Sequence, residues 1–568
     1  MTFQTIKERH EWPNYQCLGK EKMTTVDSIN SKFMEPRVAN HVPLSPLSFL
    51  KRTAAVYGNK PATTYNGKTR TWSEVYKRCC LFASAVKKSG IKRGEVISVL
   101  AFNTPEMVEL QFAVAMAGGV LNTINTRLDA DTIAVIIAHA EPAIIVVDAE
   151  LTAQLELALT QTHSSEKELI VIPCLEHEAG RYHFPEEILY DDFLESGDPG
   201  DSWSLPESEW EAYGLNYTSG TGGTPKGVVI HHRGAYLMAM GTVPAWGVPQ
   251  HPVYLYTVPM FHCNGWGHAW LNALVAGSII CLKKISAKII FDAISEYKVT
   301  HFGGAPVVLG LLINATENDQ KILKHSVQVM TAGAPPPPAI LEKIEHLGME
   351  VMQVYGLTET FGHIMHCAWN TDWDNLDFSE RATIKARQGV QFTHTEETEV
   401  LGLADDKPVP HDGKTQGEIV IRSNTLMKGY HKDESATEAV FKDGKYFLTG
   451  DIAVRHPGGY IEIKDRLKDV IISGGENISS VEVENVLYRL PGVACAAVIA
   501  KPNEKWGEIP IAVIELKEDT EYSETEILDH CRRSLAGFKT PKEVIFREIP
   551  KTATGKVQKF LLRQEYDS

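Results

Sequence analysis

The sequence predicts an α/β protein in two parts: a large N-terminal region of mixed parallel sheets layered with helices, and a small α+β C-terminal domain. Three observations carry this. At 568 residues the chain is too long for a single core. Short β-branched runs alternate with helical stretches along most of its length, the pattern of parallel strands joined by covering helices. From about Val470 the rhythm shortens to helix, strand, strand, helix. The expected divisions are an extension over residues 1–35, a large domain over 36–467 and a C-terminal domain over 468–568. The charged segment Lys464–Asp469 is the natural junction.

The elements follow from local chemistry. Glu95–Ala101 reads as a buried strand, and Thr104-Pro105-Glu106 (cap, proline, acid) opens a helix over Met107–Ala117. Ala143–Val147 is a second buried strand, and Ala212–Tyr217 and Val228–Ile230 are two more. Pro335–Pro338 leads into a helix that starts near Ala339, and Met349–Val354 is a β-type run. In the C-terminal part, Val481–Leu487 and Ser523–Ser534 read as helices, with Ala494–Ala500 and Ile509–Leu516 as strands.

Composition excludes several functions. Hydrophobic content of 43% and charged content of 23% are ordinary for a globular chain. A net charge of −16 disfavours a nucleic-acid or anionic-membrane partner. The nine cysteines lack CxxC spacing, which suits free thiols in a reducing compartment rather than a disulfide framework or zinc site. No run is long and apolar enough for a bilayer, so no integral membrane association is expected. Glu8, Glu11, Glu21, Asp27 and Glu35 are wrong for a transit peptide, and the last residues are not a peroxisomal tripeptide. A cytoplasmic location is expected.

The most informative stretch is Thr218-Ser219-Gly220-Thr221-Gly222-Gly223-Thr224-Pro225-Lys226-Gly227. Its glycines let backbone N–H groups turn towards an anion, its hydroxyls add donors, and Lys226 adds a mobile charge. It has neither the Walker A spacing nor the order of a dinucleotide turn, and a polar hairpin loop is the bland alternative. Thr358 and Glu359, after Tyr355-Gly356-Leu357, put a hydroxyl and a carboxylate at a strand end, which suits a metal–phosphate site, although taken alone a surface Glu beside a turn is the simpler reading. Thr449-Gly450-Asp451 places a carboxylate at an expected turn, able to bind ribose hydroxyls or to close an Asx-turn. Lys556, in Pro550–Lys556, follows a glycine near the end of the chain. His363, His366 and Cys367 form an incomplete ligand set, better read as packing.

The order and combination of these motifs resembles the superfamily of adenylate-forming enzymes: acyl- and aryl-CoA synthetases, peptide-synthetase adenylation domains and luciferases. The pattern extends over about residues 40–560. Arg37–Asn40, Phe261–Trp266, Lys385–Gly389 and Ile472–Ile478 are similar to medium-chain acyl-CoA ligases and methylmercaptopropionate-CoA ligases. Gly222 stands where the family usually carries Thr, Ser or Glu, and no glycine precedes Arg466.

The resemblance implies the adenylate-forming fold, ATP, Mg²⁺ and coenzyme A as cofactors, and a small carboxylic acid of short or medium chain as substrate, thioether acids such as methylmercaptopropionate among the candidates; homodimers are common in the family. It implies acyl-AMP formation followed by thiolysis, with Lys556 bridging the acid and the α-phosphate and Mg²⁺ held on Glu359. Thr218, Ser219, Gly220, Thr221, Gly223, Thr224 and Lys226 would hold phosphates with Thr358. Gly333, Ala334, Pro335, Gln353, Val354, Tyr355 and Gly356 would frame the adenine. Asp451 and Arg466 would bind the ribose, and Lys468 would be the hinge. Ser473, Gly474 and Gly475 would flank pantetheine. Phe261, His262, Asn264, Gly265, Trp266, Gly303, Gly304, Ala305 and Pro306 would build the acyl pocket. The rivals are an acyl-AMP ligase that loads a carrier protein and a non-catalytic nucleotide or acyl-CoA sensor. A sensor would be marked by loss of Lys556, Glu359 or Asp451, and all three are present.

Overall fold

The computed structural model describes residues 35–162, 168–172, 188–218, 225–333, 338–474, 476–518, 520–551 and 557–566. Residues 35–43 belong to a separate short unit, where Asn40 closes a turn by accepting the Arg37 backbone N–H on its side chain at 2.7 Å.

From Leu44 onward the chain builds four sheets. The first has eight strands, in the order Gly429–Tyr430, Lys226–His231, Ala212–Thr218, Val120–Thr123, Val96–Leu100, Ile144–Asp148, Glu168–Ile172, Ile188–Leu189. Its middle is parallel, and Ala212–Thr218 meets Lys226–His231 antiparallel. The second has nine strands, with a parallel run through Ser278–Cys281, Val253–Tyr256, His301–Gly303, Val327–Thr331 and Met349–Leu357. Its strands are continuous apolar runs because helices cover both sheets. One large apolar cluster joins the two sheets, from Ile97, Val99 and Ile144 through Val108 and Phe112 to Tyr254, Ile279 and Met330.

Local signals set the helix starts. Thr104 caps Pro105–Met116 by accepting from the Met107 N–H, with Pro105 in the first turn. Thr71 and Glu74 form a reciprocal capping box at the head of Trp72–Lys88.

The sequence does not announce the third sheet. It is antiparallel and spans Thr395–Leu401, Gln416–Ser423, Tyr446–Arg455, Phe441–Lys442 and Ile461–Arg466. The expected turn at Thr449–Asp451 is corrected here: it lies inside the strand Tyr446–Arg455. A left-handed Gly450 (φ +69°) and a register shift in the partner strand let the ladder pass through it.

The C-terminal part is α+β: five strands with the helices Ser480–Leu487, Glu524–Ser534 and Lys559–Tyr566. Its two apolar clusters draw, among the described residues, on Ile471 and positions after it, so it has a core of its own.

Candidate active site

The site is organised by the far end of the strand Met349–Leu357. The strand runs parallel to Val327–Thr331 as far as Gln353, then turns back as a hairpin onto Gly362–His366. A side chain at Gly356 would meet the Gly362 carbonyl at 1.8 Å, so the crossing of these two backbones requires glycine. Beyond it the Thr360 hydroxyl accepts from the Leu357 N–H at 2.8 Å and closes a turn with Thr358 and Glu359 at its tip.

Glu359 is half-buried and held twice. Its carbonyl accepts from the Met427 N–H at 2.8 Å, and its Oε1 accepts from the Tyr430 hydroxyl at 2.9 Å. Tyr430 lies on the short strand paired with Lys226–His231, opposite Val228, and the Lys226 ammonium sits 4.8 Å from the centre of its ring. One aromatic residue therefore joins the phosphate-loop lysine to the candidate metal carboxylate. Burial, then the Glu359 charge, pushes the Tyr430 phenol up, so it stays a donor at neutral pH. Sequence reasoning missed Tyr430, because only the pairing of distant strands brings it here.

Thr218 pairs with Lys226 at the mouth of the hairpin, so the glycine-rich loop does join two strands. Ser219, Gly220, Thr221, Gly222, Gly223 and Thr224 lie outside the described residues, as do Ala334, Pro335, Gly475 and Lys556. Gly333 follows the strand that pairs Thr331 with Gln353, so Gly333, Gln353, Val354 and Tyr355 share one sheet end.

Asp451 is buried opposite Arg466 in the third sheet. Its Oδ1 lies 2.8 Å from Arg466 Nε, and its Oδ2 accepts from the Tyr355 hydroxyl at 2.5 Å. The Asp451 N–H donates to Thr449 Oγ1 at 3.1 Å, so a threonine shapes this stretch. Burial works against the Arg466 charge, but Asp451 first, then Tyr355, Glu359 and Asp469, hold its pKa above the usual value.

The acyl side is built on a rare backbone. Cys263, Asn264, Gly265, Trp266 and Gly267 all have φ between +41° and +69°, a left-handed turn. Each non-glycine residue in it costs roughly 1–2 kcal/mol. Neighbours hold it in place: the Tyr256 hydroxyl donates to the Gly265 carbonyl at 2.9 Å, the Asn216 amide to Asn264 Oδ1 at 2.6 Å, and Thr123 Oγ1 to the Phe261 carbonyl at 2.8 Å. Asn264 Oδ1 is engaged in holding the turn, while its buried Nδ2 has no hydrogen-bond partner among the described residues.

The turn delivers Trp266 to Gly303, where an added Cβ would lie 3.2 Å from the indole and 2.7 Å from Val258. Behind Trp266 stand His268 and Tyr254, hydrogen-bonded at 2.5 Å, and Trp246. Ala305 and Pro306 open the next helix, Pro306–Ile313. His262, Cys263 and Thr358 share a small cavity of about 40 Å³ with Asn125, Asn216 and Tyr217, which brings the acyl and metal motifs together. His363 packs on Phe392 and bonds Thr242 at 2.7 Å, and Cys367 donates to the Ile384 carbonyl at 3.3 Å, as packing residues do.

Lys468 sits in a turn anchored on both sides. The Leu467 N–H donates to the Gly450 carbonyl at 2.9 Å, while Arg563 of the last helix bonds the Lys468 carbonyl and Asp469. Ser473 pairs with Glu476 across a tight turn. Beside it Gly474 (φ +62°) donates to the Trp506 carbonyl at 2.7 Å, under the half-exposed Trp506 ring.

The chain that carries this glycine-rich hairpin, carboxylate turn and buried Asp451–Arg466 pair has known relatives. A family model described as AMP-binding enzyme matches residues 50–431, and one described as AMP-binding enzyme C-terminal domain matches 482–556. The chain belongs to the AMP-binding enzyme family. Among curated relatives of this AMP-binding enzyme, a 2-methylpropanoate–CoA ligase of Humulus lupulus is 46% identical over 538 residues, covering 93% of this chain and 96% of the relative. A peroxisomal acetate/butyrate–CoA ligase of Arabidopsis thaliana is 46% identical over 540 residues, covering 92% and 95%. An anthranilate CoA ligase solved with anthranoyl-AMP has a TM-score of 0.80 at 23% identity, covering 94% of this chain and 99% of that one. A benzoate CoA ligase from Burkholderia xenovorans has a TM-score of 0.78 at 23% identity, covering 91% and 99%. These structures establish the adenylate-forming fold.

The AMP-binding enzyme is an AMP-forming acid–CoA ligase that uses ATP, Mg²⁺ and coenzyme A. Its residues fit Mg²⁺: Glu359 offers a half-exposed carboxylate beside the Thr358 hydroxyl, and the described residues contain no three-ligand cage. That suits an ion held by one carboxylate, substrate phosphates and water.

Proposed function

We propose that the protein activates a short carboxylic acid with an uncharged side chain as its acyl-AMP and transfers the acyl group to CoA. The observation that carries this is Trp266 packed against Gly303 with His268, Tyr254 and Trp246 filling the space behind it. Such a wall leaves a shallow apolar slot, suited to butyrate or 2-methylpropanoate, with methylmercaptopropionate at the long end. The relatives named for 2-methylpropanoate and for acetate or butyrate support the same range.

The acid's carboxylate is itself the nucleophile, so the chain's task is positioning and charge neutralisation. Lys226 and Thr218 hold phosphate oxygens, Asp451 holds the ribose diol with Arg466 fixed beside it, and Gly333 with Gln353–Tyr355 frames the base. Mg²⁺ held on Glu359 supplies charge neutralisation at the phosphates. Lys556 donates to the carboxylate and α-phosphate oxygens. The C-terminal domain, residues 468–568, then rotates about Lys468 to admit the thiol beside Ser473, Gly474 and Trp506.

Among the described residues no helix is long and apolar enough to cross a membrane. A cytoplasmic location is part of this proposal.

The test is pyrophosphate release, with and without CoA, across straight-chain, branched and thioether acids. CoA-dependent AMP formation that is best with short acids supports the reading. Preference for long-chain or aryl acids overturns the substrate assignment. Lys556→Ala should abolish acyl-AMP formation and spare thiolysis of preformed acyl-AMP.

A further inference from the structure

A cavity of about 540 Å³ lies apart from the groups assigned above, between the sheet that carries the phosphate hairpin and the antiparallel sheet. Arg233, Arg422, Lys428 and Lys445 line it with Trp210 and Phe441, and none of its described lining residues is acidic. In a chain of net charge −16, four cations around one concavity are a marked local excess.

The two arginines are partly neutralised from behind: Arg233 holds Glu209 at 2.5 Å and Arg422 holds Glu397 at 2.9 Å. The lysines differ. Lys428 Nζ donates to the Trp210 carbonyl at 2.5 Å and lies 5.4 Å from the centre of that indole. Lys445 Nζ lies 4.5 Å from the centre of the Tyr446 ring. Neither ammonium has a carboxylate at ion-pair distance among the described residues. Burial lowers the Lys428 pKa, with Glu211 opposing it from outside the lining. Trp210 packs on the His231 ring, centroids 4.2 Å apart, yet is 50% exposed, so its apolar surface away from His231 is open beside the cations.

We propose that this cavity is a second, regulatory nucleotide site, which binds phosphate groups on Lys428 and Lys445 and stacks a planar base on Trp210. Its volume falls within the roughly 300–1,000 Å³ of small-molecule sites. Cation pairs and an exposed aromatic face are the two elements that recognise a nucleotide without reading its sequence. No reacting group of the proposed chemistry lines it, so the occupant is an effector.

The route to the catalytic turn is short. Leu426, Met427 and Lys428 form part of the wall; the Met427 N–H holds the Glu359 carbonyl, and the Lys428 N–H holds the Val229 carbonyl of the phosphate hairpin at 2.8 Å. Two sources share the ligand chemistry: free AMP, and the 3′-phosphorylated ADP end of CoA.

The experiment is equilibrium dialysis of the full chain with AMP, CoA and adenosine. Wild type, Asp451→Ala, and Asp451→Ala carrying Lys428→Glu and Lys445→Glu are compared. Asp451→Ala disables the ribose contact proposed above, so the AMP it still binds reports the second site. Charge reversal at the two lysines should weaken that binding at least about tenfold, since each phosphate contact is a charge-assisted bond. Lys445→Met alone, on an exposed side chain, should weaken it in the same direction by less.

Retained AMP binding that charge reversal removes identifies the free nucleotide. A tenfold loss confined to CoA identifies the CoA end. Adenosine binding as tightly as AMP, or AMP and CoA binding that both ignore the charge reversal, overturns the proposal. Failure of the ligase reading would appear instead as no turnover by the wild type, which this binding measurement does not require.

Discussion

The two sides of the proposed active site are held by different physics. On the nucleotide side, half-exposed or singly buried charges are fixed by partners of opposite sign or by one aromatic hydroxyl: Asp451 with Arg466 and Tyr355, Glu359 with Tyr430. On the acyl side a strained left-handed turn is fixed by neutral hydrogen bonds and dense packing: Cys263–Gly267 with Tyr256, Asn216 and Thr123. Charge can be retuned one atom at a time, whereas packing fails as a unit. The nucleotide side should therefore answer substitution with changes in binding, and the acyl side with changes in stability and in which acid fits.

The largest effect is expected at the acyl wall. Trp266 is buried, so Trp266→Ala should cost about 3–5 kcal/mol of stability, the range for deleting a large buried ring. In return it should extend the accepted acids to longer chains. Denaturant unfolding reads the first and an acid panel the second. A variant of wild-type stability with an unchanged acid range would show that Trp266 is not the wall.

Next comes the ribose pair. Asp451→Asn keeps the shape, but leaves Arg466 without its charge partner and gives the diol a poorer acceptor. Losing a hydrogen bond to a charged group costs about 1.5–3 kcal/mol. The Michaelis constant for ATP should rise between ten- and a hundredfold, with the constant for the acid much less affected. Equal increases for both would mean that Asp451 supports the fold and not the nucleotide.

The two sides were also unequally legible. Caps are written locally, so Thr104-Pro105 and the start of the helix at Ser523 could be read from a few neighbours. The hairpin that carries the glycine-rich stretch was legible because apolar β-type runs flank it on both sides. Tyr430 was not: it is far along the chain from both Glu359 and Lys226, and its place beside them arises from strand pairing alone. The left-handed turn was equally hidden: Asn264 and the two glycines tolerate φ > 0, but Cys263 and Trp266 do not favour it, and nothing local predicts five such residues in a row. The residue letters put Asp451 in the wrong element, because Gly450 reads as a turn while the sheet carries the chain straight through.

Acidity separates the sides by a third effect. His268 is fully buried behind Trp266, and burial holds its pKa down to about 3, with His301 adding to the shift. Its folded pKa lies below its unfolded one, so its contribution to stability is present above the unfolded pKa and is lost as pH falls towards the folded one. Between about pH 6.5 and 4 that loss should approach 1.4 kcal/mol per pH unit for this one group. Unfolding curves at stepped pH should show a slope that His268→Phe reduces by that amount. An unchanged slope would mean that the imidazole is protonated in the fold.

The smallest effect is the most diagnostic of the nucleotide side. Tyr430→Phe keeps the ring under Lys226 and removes only the hydroxyl that holds Glu359 Oε1. A neutral donor to a carboxylate on a half-exposed turn contributes about 1 kcal/mol, or roughly fivefold in an equilibrium. If Tyr430 positions the carboxylate for the metal, that factor should appear as weaker Mn²⁺ binding in the presence of ATP, read by electron paramagnetic resonance, and as a higher Mg²⁺ requirement. Thermal stability should hardly move. Tyr430→Leu, which also removes the ring, should add a loss in ATP affinity through Lys226. A drop in melting temperature with unchanged Mn²⁺ binding would reduce Tyr430 to a packing residue, and would leave Glu359 oriented by the Met427 backbone alone.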